Sequence, residues 1–396
     1  MSSRKTRVAV VNTHPIQYFA PLYAYLNTSP DIEVTALYLS DFSLRGATDQ
    51  GFGQVVKWDL DLLAGYPHSF IGPNAKTLVP GGLSSMIVPQ IWGAVRRGGF
   101  DALWIHGHGV GANLIALAAA KSIGIPVFMR CETHLGLPRV GWKAALRKPL
   151  MSTFYRNLDG FLAIGSANRD FYRAMGVPDN RISLMPYTVD NARFTQKSAL
   201  SDEHRRATRE RLKISGDRPA ILYVSKFMRR KHPDHLVQAA KRLSAEGLDF
   251  DLVLAGNGEM QAELEQLTRD LPHVVMPGFI NQQEMPTLLG ACDIFVLPSE
   301  DEPWGLIVNE AMCAGLPVVA SSEVGCSVDL IEDGGNGQTF RAGDVDGLTN
   351  ALRPIVSDAN LRKAMSARSR ELIGRWSYRE CLEGLREAVA RTCLKS

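Results

Sequence analysis

The fold of this 396-residue chain is decided by residues 293–321, DIFVLPSEDEPWGLIVNEAMCAGLPVVAS. The start of this stretch, DIFVLPS, is a nearly continuous apolar run, which is typical of parallel strands buried on both faces. A polar loop leads to the helical pattern LIVNEAMCA, and Gly315 and Pro317 then mark the end of that helix and the start of a second apolar strand. This order of strand, helix and strand predicts a parallel sheet of the α/β class.

The same alternation of short apolar strands and helical patterns runs through both halves of the chain. The first half contains the strand-like runs VAVVNTHP, ALWIHGHG, PVFMRCETH and GFLAIGSA. The second half contains AILYVSKF, DLVLAGNG, VVMPGFIN, DIFVLPSE and PVVASSEVG. We therefore predict two doubly wound parallel-sheet domains of similar kind, with binding sites at the carboxyl ends of their strands.

A polar segment separates the two sets of strands. Residues 191–219 carry no strand pattern, and a capped helix is predicted to start near Ser201. We expect one domain over residues 1–195 and a second over 196–376. The amphipathic C-terminal segment, about 377–396, is expected to pack back on the first domain.

Composition excludes several classes of protein. A hydrophobic content of 45% is that of an ordinary globular protein, and a net charge of +3 gives no reason to expect nucleic acid as a partner. The 6 cysteines show no paired spacing and are expected to be free thiols in a reducing compartment. We find no signal peptide and no apolar run of the ~20 residues that a spanning helix needs. The expected location is cytoplasmic, with at most peripheral contact at the inner face of a membrane.

The loop and helix of the opening stretch favour the binding of an anion. The first backbone N–H groups of the helix, at Gly305, Leu306 and Ile307, have no partner within the helix and favour a phosphate group. Glu302 precedes this point and Glu310 follows it by about one turn. Two carboxylates that flank an anion site suit a ligand with hydroxyl groups on both sides of a diphosphate, such as a nucleotide sugar. Taken alone, however, the spacing favours two solvated glutamates.

Two other strand exits supply candidate partners for such a ligand. Lys226 ends one strand and Lys231 lies in the connection that follows, and cations at these places can neutralise a diphosphate. Alone, this segment favours a basic surface turn. Gly256 and Gly258 form a glycine-containing turn between a strand and a helix, which is a weak phosphate-binding signal by itself.

Together these segments resemble the retaining nucleotide-sugar glycosyltransferases of family four. The stretch EPWGLIVNE is similar to the E-x7-E motif of that family, and GNGE, the PGF turn that ends at Phe279 and PYTVD at residues 186–190 follow its order and spacing. The resemblance covers about residues 160–345. It implies the GT-B fold, in which two Rossmann-like domains face a central cleft.

The resemblance also implies roles for the donor-site residues. Glu302 would contact sugar hydroxyls near the reacting carbon, and Glu310 would accept hydrogen bonds from the ribose. Lys226 and Lys231 would hold the diphosphate. Lys226 stands where the family has arginine, and Ser225 replaces a glycine, so we expect a looser clamp that lacks the bidentate arginine fork.

The first half of the chain matches the family less closely. Thr13 and His14 follow the first strand, where the family has a glycine-rich loop. Glu132 occupies the place of a histidine in many members, and His134 lies two residues further on. Either residue would contact the donor sugar or the acceptor hydroxyl, and the sequence does not choose between them.

Metals and cofactors are not expected. The pattern D-x-D, a metal signature in another glycosyltransferase architecture, occurs at 59–61, 249–251 and 344–346 in unrelated contexts. The H-x-H pair of His106 and His108 lacks a third ligand nearby, and polar strand exits are the preferred interpretation. We predict that the reaction requires no metal.

The reaction implied by the resemblance is a retaining, same-face displacement. A sugar would pass from a UDP- or GDP-sugar to a glycan or lipid-linked saccharide acceptor, as in polysaccharide biosynthesis. Two alternatives remain open: a sugar-nucleotide isomerase of the 2-epimerase type and a non-catalytic nucleotide-sugar-binding subunit.

Acceptor recognition is assigned to two segments of the first half. Residues 45–70 are glycine-containing and aromatic, and they suit either an acceptor loop or an ordinary long connection. Residues 139–157 combine basic and apolar side chains, which is compatible with contact to an anionic membrane, although a solvated basic helix is the more common case.

Overall fold

A computed structural model describes residues 4–49, 51, 54–72, 85–137 and 152–392. These residues form two compact units. The first is built from the described parts of Met1–Ala47, Val56–Thr188 and Ser377–Ser396. The second is built from the described parts of Thr48–Val55 and Val189–Trp376.

The first unit contains a parallel sheet with the strand order β5-β2-β1-β6-β7-β8-β9. Its strands are β1 (Thr6–Asn12), β2 (Ile32–Tyr38), β5 (His68–Phe70), β6 (Ala102–His106), β7 (Val127–Arg130), β8 (Gly160–Ala163) and β9 (Ile182–Leu184). A separate two-stranded pair joins β3 (Ala47–Asp49) to β4 (Gln54–Val56), and most of its residues belong to the second unit. The helices of this unit are α1 (Phe19–Asn27), α2 (Phe42–Arg45), α3 (Gln90–Arg97), α4 (Gly111–Ser122), α5 (Ser166–Ala174) and a C-terminal helix, α15 (Tyr378–Thr392).

The second unit contains a parallel sheet with the strand order β12-β11-β10-β13-β14-β15. Its strands are β10 (Ala220–Val224), β11 (Asp251–Ala255), β12 (Val274–Gly278), β13 (Ile294–Leu297), β14 (Val318–Ser321) and β15 (Gly337–Phe340). Its helices are α6 (Asn191–Ser198), α7 (Asp202–Arg211), α8 (Pro233–Ala245), α9 (Gln261–Leu267), α10 (Met285–Ala291), α11 (Leu306–Cys313), α12 (Ser327–Leu330), α13 (Val345–Ser357) and α14 (Ala359–Ile373). The prediction of two parallel α/β domains is confirmed.

The central strands form the core of each unit. Residues Val8 to Val11 of β1 and residues Leu252 to Leu254 of β11 have no exposed surface. Such strands contact apolar side chains on both faces, which explains why their sequences are continuous apolar runs. The opening stretch follows the same rule, because β13 and β14 are both buried and α11 connects them.

In the sequence, the boundary between the two units lies near the polar segment of residues 191–219. The sequence places a boundary between residues 195 and 196, and the compact units change between Thr188 and Val189. The Ser201 hydroxyl accepts a hydrogen bond from the backbone N–H of His204 (3.2 Å) and caps α7, as the sequence predicts.

The described residues contain no helix long and apolar enough to cross a membrane. The five cysteines within the described ranges are free thiols: Cys131, Cys292, Cys313, Cys326 and Cys381.

Helix α15 packs on the edge of the first sheet. A Cβ atom added at Gly384 would lie only 1.9 Å from the backbone oxygen of Leu184, which ends β9. At the other side of the helix, the Arg386 guanidinium pairs with the Asp31 carboxylate at 2.6 Å. The close backbone approach requires glycine at position 384.

Gly384→Ala tests this packing. Alanine is the better helix former, yet we expect the free energy of unfolding to fall by about 1–3 kcal/mol, because the added methyl group overpacks the contact with β9. Chemical denaturation of the purified protein measures this change. The control is Gly93→Ala in α3, where an added Cβ meets only the end of the Arg97 side chain at 2.7 Å. A Gly384→Ala protein as stable as the control would contradict the packing described.

Candidate functional site

The candidate donor site lies at the carboxyl ends of β10 and β13. These strands are neighbours in the second sheet, with Ile221 paired to Ile294. From β10 the chain continues through α8 to β11 on one side, whereas from β13 it continues through α11 to β14 on the other side. A crevice forms where connections diverge in this way, and ligands of open α/β sheets bind there.

The loop after β10 folds back tightly and brings Lys231 to this crevice. The Phe227 N–H donates to the Asn257 oxygen (2.9 Å), and the Lys231 N–H donates to the Met228 oxygen (2.9 Å). A 3-10 turn covers Arg229–Lys231, and His232 follows with a left-handed φ of 47°. The sharp turn directs the Lys231 side chain toward the loop after β13.

Lys231 forms a buried ion pair with Glu302. The Lys231 Nζ atom contacts Glu302 Oε2, and the side chains are 7% and 17% exposed respectively. Burial lowers the pKa of Lys231, the Glu302 carboxylate opposes this effect, and the charges of Arg230 and Lys226 lower the pKa further. The crevice therefore carries an excess of positive charge next to the pair, which favours an anionic ligand.

The loop after β13 is held by hydrogen bonds to residues 325 and 326. The Gly325 N–H donates to the Glu302 oxygen (2.9 Å), and the Cys326 N–H donates to the Trp304 oxygen (3.0 Å). The Trp304 indole N–H also donates to Asn309 Oδ1 in α11 at 2.9 Å. These hydrogen bonds hold the backbone of the loop at Glu302 and Trp304, and they thereby fix the point from which the Glu302 side chain extends.

Gly305 is the N-cap residue of α11 and immediately precedes the first N–H groups of that helix. Its φ of 91° is left-handed, and an added Cβ would lie 2.9 Å from Val324 Cγ1. Leu306 and Ile307 are the first two residues of α11, so their N–H groups lie at the positive end of the helix dipole. The helix start follows Glu302 in the same loop, and its role as an anion site stays a prediction.

Glu310 lies inside α11 and has no exposed surface. The interpretation as an exposed helix glutamate is therefore wrong for this residue. Together with burial, the Glu310 charge raises the pKa of the Cys313 thiol on the same helix. A wholly buried carboxylate costs several kcal/mol to desolvate, which is unusual for a residue that has only a structural role.

The two glycines after β11 allow the loop that follows β10 to pass close to their backbone. An added Cβ at Gly256 would lie 2.0 Å from the Ser225 oxygen, and one at Gly258 would lie 2.6 Å from the Phe227 oxygen. The left-handed φ values, 144° and 157°, also favour glycine. Phe279 follows β12 at the same edge of the sheet. These three predicted donor-site residues share the edge that carries Lys231 and Glu302.

The residues predicted in the first unit follow β1 and β7. The Thr13 hydroxyl and His14 Nδ1 lie 2.9 Å apart, and burial lowers the pKa of His14 to about 4. Glu132 is exposed and accepts a hydrogen bond from the Tyr187 hydroxyl. His134, by contrast, is 7% exposed, and its Nδ1 accepts from the Gly136 N–H at 3.2 Å. Of the two residues that the sequence leaves open, Glu132 is the more accessible.

Arg130 is a buried cation that the sequence interpretation missed. It ends β7, is 2% exposed, and donates from Nη2 to the Pro186 oxygen (3.0 Å). Its guanidinium lies over the rings of Phe19, Trp104 and Tyr187, with distances of 5.0 to 5.9 Å to their centroids. The only signal in the sequence was a basic residue at the end of an apolar strand.

Three members of the histidine and aspartate patterns considered for metals contact other protein groups: His106, Asp251 and Asp344. His106 Nε2 contacts the Tyr23 hydroxyl at 3.0 Å, and burial lowers the pKa of His106 well below its usual value. Asp251 pairs with Arg218 (3.3 Å), and Asp344 caps α13 by accepting from the Gly347 N–H at 2.8 Å. These contacts give the residues structural roles.

The acceptor segments are described in part. Of the basic segment 139–157, residues 139–151 lie outside the described residues, and 152–156 are helical. In the segment 45–70, Gly51 belongs to the second unit, where an added Cβ would lie 2.5 Å from Lys226 Cδ. This part of the predicted acceptor loop therefore reaches the donor-site lysine.

Comparison with known families matches most of the chain. Residues 204–372 match the family model of group 1 glycosyl transferases, and residues 41–188 match the glycosyl transferase 4-like domain. The first match lies within the segment Val189–Trp376 of the second unit, and the second match ends at Thr188, where the first unit's segment Val56–Thr188 also ends.

Comparison with curated proteins gives relatives of modest identity. Sulfoquinovosyl transferase SQD2 of Arabidopsis thaliana is 28% identical over 77% of this chain and 59% of its own length. The α-D-kanosaminyltransferase of Streptomyces kanamyceticus is 30% identical over 50% of this chain and 51% of its own. A GDP-mannose-dependent α-(1-6)-phosphatidylinositol monomannoside mannosyltransferase of Mycolicibacterium smegmatis is 28% identical over 63% and 69%. The chain thus spans little more than half the length of the first two relatives.

Solved structures share the fold. Anabaena Alr3699/HepE, crystallised with UDP and glucose, superposes with a TM-score of 0.70 at 15% identity, covering 97% of this chain and 99% of that one. A glycosyltransferase of Rickettsia africae superposes with a TM-score of 0.76 at 15% identity, covering 100% of both chains. These similarities confirm the predicted GT-B fold.

The coupling between Lys231 and Glu302 is measurable by a double-mutant cycle. Lys231→Met and Glu302→Gln each leave a buried partner charge uncompensated, so we expect each to cost about 3 kcal/mol of unfolding free energy. The double variant should cost less than the sum by about 1–3 kcal/mol.

The matched control is the exposed pair of Arg353 and Glu246, whose side chains are both 41% exposed. We expect its coupling, obtained in the same way with Arg353→Met and Glu246→Gln, to be clearly smaller, because solvent screens an exposed pair. Equal coupling energies for the two pairs would show that the Lys231 contact is no stronger than a surface ion pair.

Proposed function

This chain belongs to glycosyltransferase family four, and from that premise we propose that it transfers a sugar from a UDP- or GDP-sugar to a glycan or lipid-linked saccharide. The transfer retains the anomeric configuration and requires no metal or cofactor. The observation that carries the proposal is the buried pair of Lys231 and Glu302 beside the start of α11, at the divergence of the second sheet.

Donor binding changes the partner of Lys231. Without ligand, the Lys231 ammonium is neutralised by Glu302. A diphosphate offers several negative oxygens and is also attracted by Lys226 and by the N–H groups of Leu306 and Ile307. Lys231 then turns to the phosphate, and Glu302 becomes available to accept hydrogen bonds from the sugar hydroxyls.

The same groups stabilise the departing diphosphate. Negative charge grows on the leaving oxygen as the bond to the sugar breaks, and it grows beside Lys226, Lys231 and the positive end of α11. Because Lys231 is buried, its charge acts in a medium of low dielectric constant and is only weakly screened by solvent. Charge stabilisation of this kind supports departure without a metal ion.

Glu310 is assigned to the ribose. It lies about one turn beyond the helix start, and a buried carboxylate is a strong acceptor for hydroxyl groups. Gly256, Gly258 and Phe279 are assigned to the nucleotide, at the same edge of the sheet. The two glutamates thus serve opposite ends of one ligand and are not an acid–base pair.

Retention follows from attack on the face that the diphosphate leaves. In this same-face displacement, a leaving phosphate oxygen accepts the proton of the acceptor hydroxyl, so no carboxylate nucleophile is required. The contribution of the protein is positioning together with charge stabilisation. Thr13 and His14 of the first unit are assigned to the donor; at neutral pH His14 is uncharged because burial lowers its pKa to about 4.

Acceptor recognition is assigned to the first unit. Glu132 is exposed, and its hydrogen bond from Tyr187 holds it in place to orient a sugar or acceptor hydroxyl. His134 is buried and is assigned to support the same loop. The name of the mycolicibacterial relative, a phosphatidylinositol monomannoside mannosyltransferase, supports a lipid-linked acceptor. We propose that the enzyme works in the cytoplasm, where residues 139–157 contact the anionic inner face of the membrane.

Kinetics of two glutamate variants test the proposal. The protein is incubated with UDP- and GDP-sugars and candidate acceptors, and release of the nucleoside diphosphate is measured. We expect Glu302→Gln to lower kcat about 100-fold or more, because interactions near the reacting carbon are lost. Glu310→Gln should raise the donor KM about tenfold with a smaller effect on kcat, because it removes ground-state binding. The control is Glu265→Gln, on the exposed side of α9.

The products decide between the alternatives. Acceptor-dependent release, with a product anomer that matches the donor by NMR and a rate unaffected by EDTA, supports the proposal. A new sugar nucleotide without release would indicate an isomerase, and binding without turnover for every acceptor would indicate a non-catalytic subunit. Equal kinetic effects of Glu302→Gln and Glu310→Gln would contradict the assignment of the two glutamates.

A further inference from the structure

We propose that the second unit binds a divalent transition-metal ion of the Zn²⁺ type through His232, Asp234, His235 and Glu300. The first three residues lie at the start of α8, immediately after Lys231. Glu300 lies in the loop after β13, two residues before Glu302. The proposed ion takes no part in sugar transfer, and its binding rests on the geometry of these four side chains alone.

The side chains already converge. One ligand atom each from His232, Asp234 and His235 lies within 4.8 Å of the others. His232 Nε2 is 3.3 Å from Glu300 Oε2, and His235 Nε2 is 3.8 Å from Asp234 Oδ2. The three ligand atoms at the start of α8 thus lie close together, and Glu300 from the loop after β13 contacts one of these residues, His232.

The chemistry of the four side chains suits zinc and similar ions. Imidazole nitrogens and carboxylate oxygens are common ligands of Zn²⁺, Co²⁺ and Ni²⁺, and four such ligands complete a tetrahedral site. The two carboxylates beside the two imidazoles attract a divalent cation.

Asp234 provides an independent sign of an additional partner. Its Oδ1 atom is buried and has no hydrogen-bond partner in the described part of the chain. The side chain as a whole is only 17% exposed. An unsatisfied buried carboxylate oxygen costs free energy, and a cation bound between the two loops would remove this cost.

Metal binding requires a small adjustment of the rings. The imidazoles of His232 and His235 are stacked, with centroids 4.2 Å apart and planes inclined by 10°. Lone pairs of stacked rings lie in parallel planes, so one ring must rotate about its Cβ–Cγ bond for both to reach one ion. The ligand atoms then close from 4.8 Å to the ~3.4 Å expected for metal bonds of about 2.1 Å.

The position of the site links it to the loops that carry the donor-site pair. The Glu300 N–H donates to the Arg230 oxygen at 2.7 Å, so the two loops are joined by backbone as well. An ion held by His232 and Glu300 would connect the residue after Lys231 to the residue two positions before Glu302. We therefore expect the ion to stabilise both loops.

Cobalt binding tests the proposal on the full chain. Protein treated with EDTA and dialysed is titrated with Co²⁺, and the visible absorption of tetrahedral Co²⁺ is recorded. We expect one Co²⁺ per chain, displaced by one equivalent of Zn²⁺, and a rise of a few degrees in the unfolding temperature with Zn²⁺ present. His235→Ala and Glu300→Gln should each weaken Co²⁺ binding at least tenfold.

Further variants test whether Co²⁺ binds at the proposed side chains. His232→Asn should also weaken binding at least tenfold, and asparagine tolerates the left-handed φ of 47° at this position. Comparison of the unfolding temperatures in EDTA confirms that the variants are folded. The control is His204→Gln at an exposed position of α7, which should bind Co²⁺ like the unmodified protein.

Two outcomes would overturn the inference. The first is no tetrahedral Co²⁺ absorption with the unmodified protein, which would leave the four side chains as an ionic cluster. The second is Co²⁺ binding that His232→Asn, His235→Ala and Glu300→Gln do not change, which would place the ion elsewhere. Because the readout is metal absorption, failure of the sugar-transfer experiment would leave this result unaffected.

Discussion

The contact between Lys231 and Glu302 is the interaction on which the donor site depends. The two residues are 71 positions apart in the sequence, and they meet because β10 and β13 are adjacent in a parallel sheet. Desolvation of both charges opposes this contact, so the pair is poorly explained as a device for stability alone. It is better explained as a pair of groups held ready for a ligand that carries both phosphate and hydroxyl groups.

Much of this arrangement could be predicted from the sequence, because the relevant features are local. The strand, loop and helix of residues 293–321, the glycine at 305 and the helix start are all properties of one continuous segment. The pairing of Lys231 with Glu302 was not predicted, since it depends on the strand order. That order places β13 next to β10 and skips β11 and β12, and local periodicity contains no information on such neighbours. The three-residue strands β5 and β9 were also missed, because they are too short to form an apolar run.

Burial was the second property that local patterns could not provide. Glu310 has the spacing of an exposed helix residue but lies wholly within the second unit, and Arg130 ends a strand but is enclosed by aromatic rings. The sequence left Glu132 and His134 equivalent, whereas the structure exposes Glu132 and buries His134. In each case the surroundings come from distant segments. Assignment of roles to charged residues therefore required the three-dimensional neighbours of each side chain.

The central claim is that a nucleotide diphosphate binds at the carboxyl ends of β10 and β13, and hydrogen exchange tests it most directly. Backbone amide exchange of the whole protein is measured by mass spectrometry with and without saturating UDP or GDP. We predict slower exchange with one of the two nucleotides in segments 226–232 and 302–310, since both loops become ordered around the diphosphate. Nucleotide binding that protects only other segments, or leaves these two unchanged, would contradict the account.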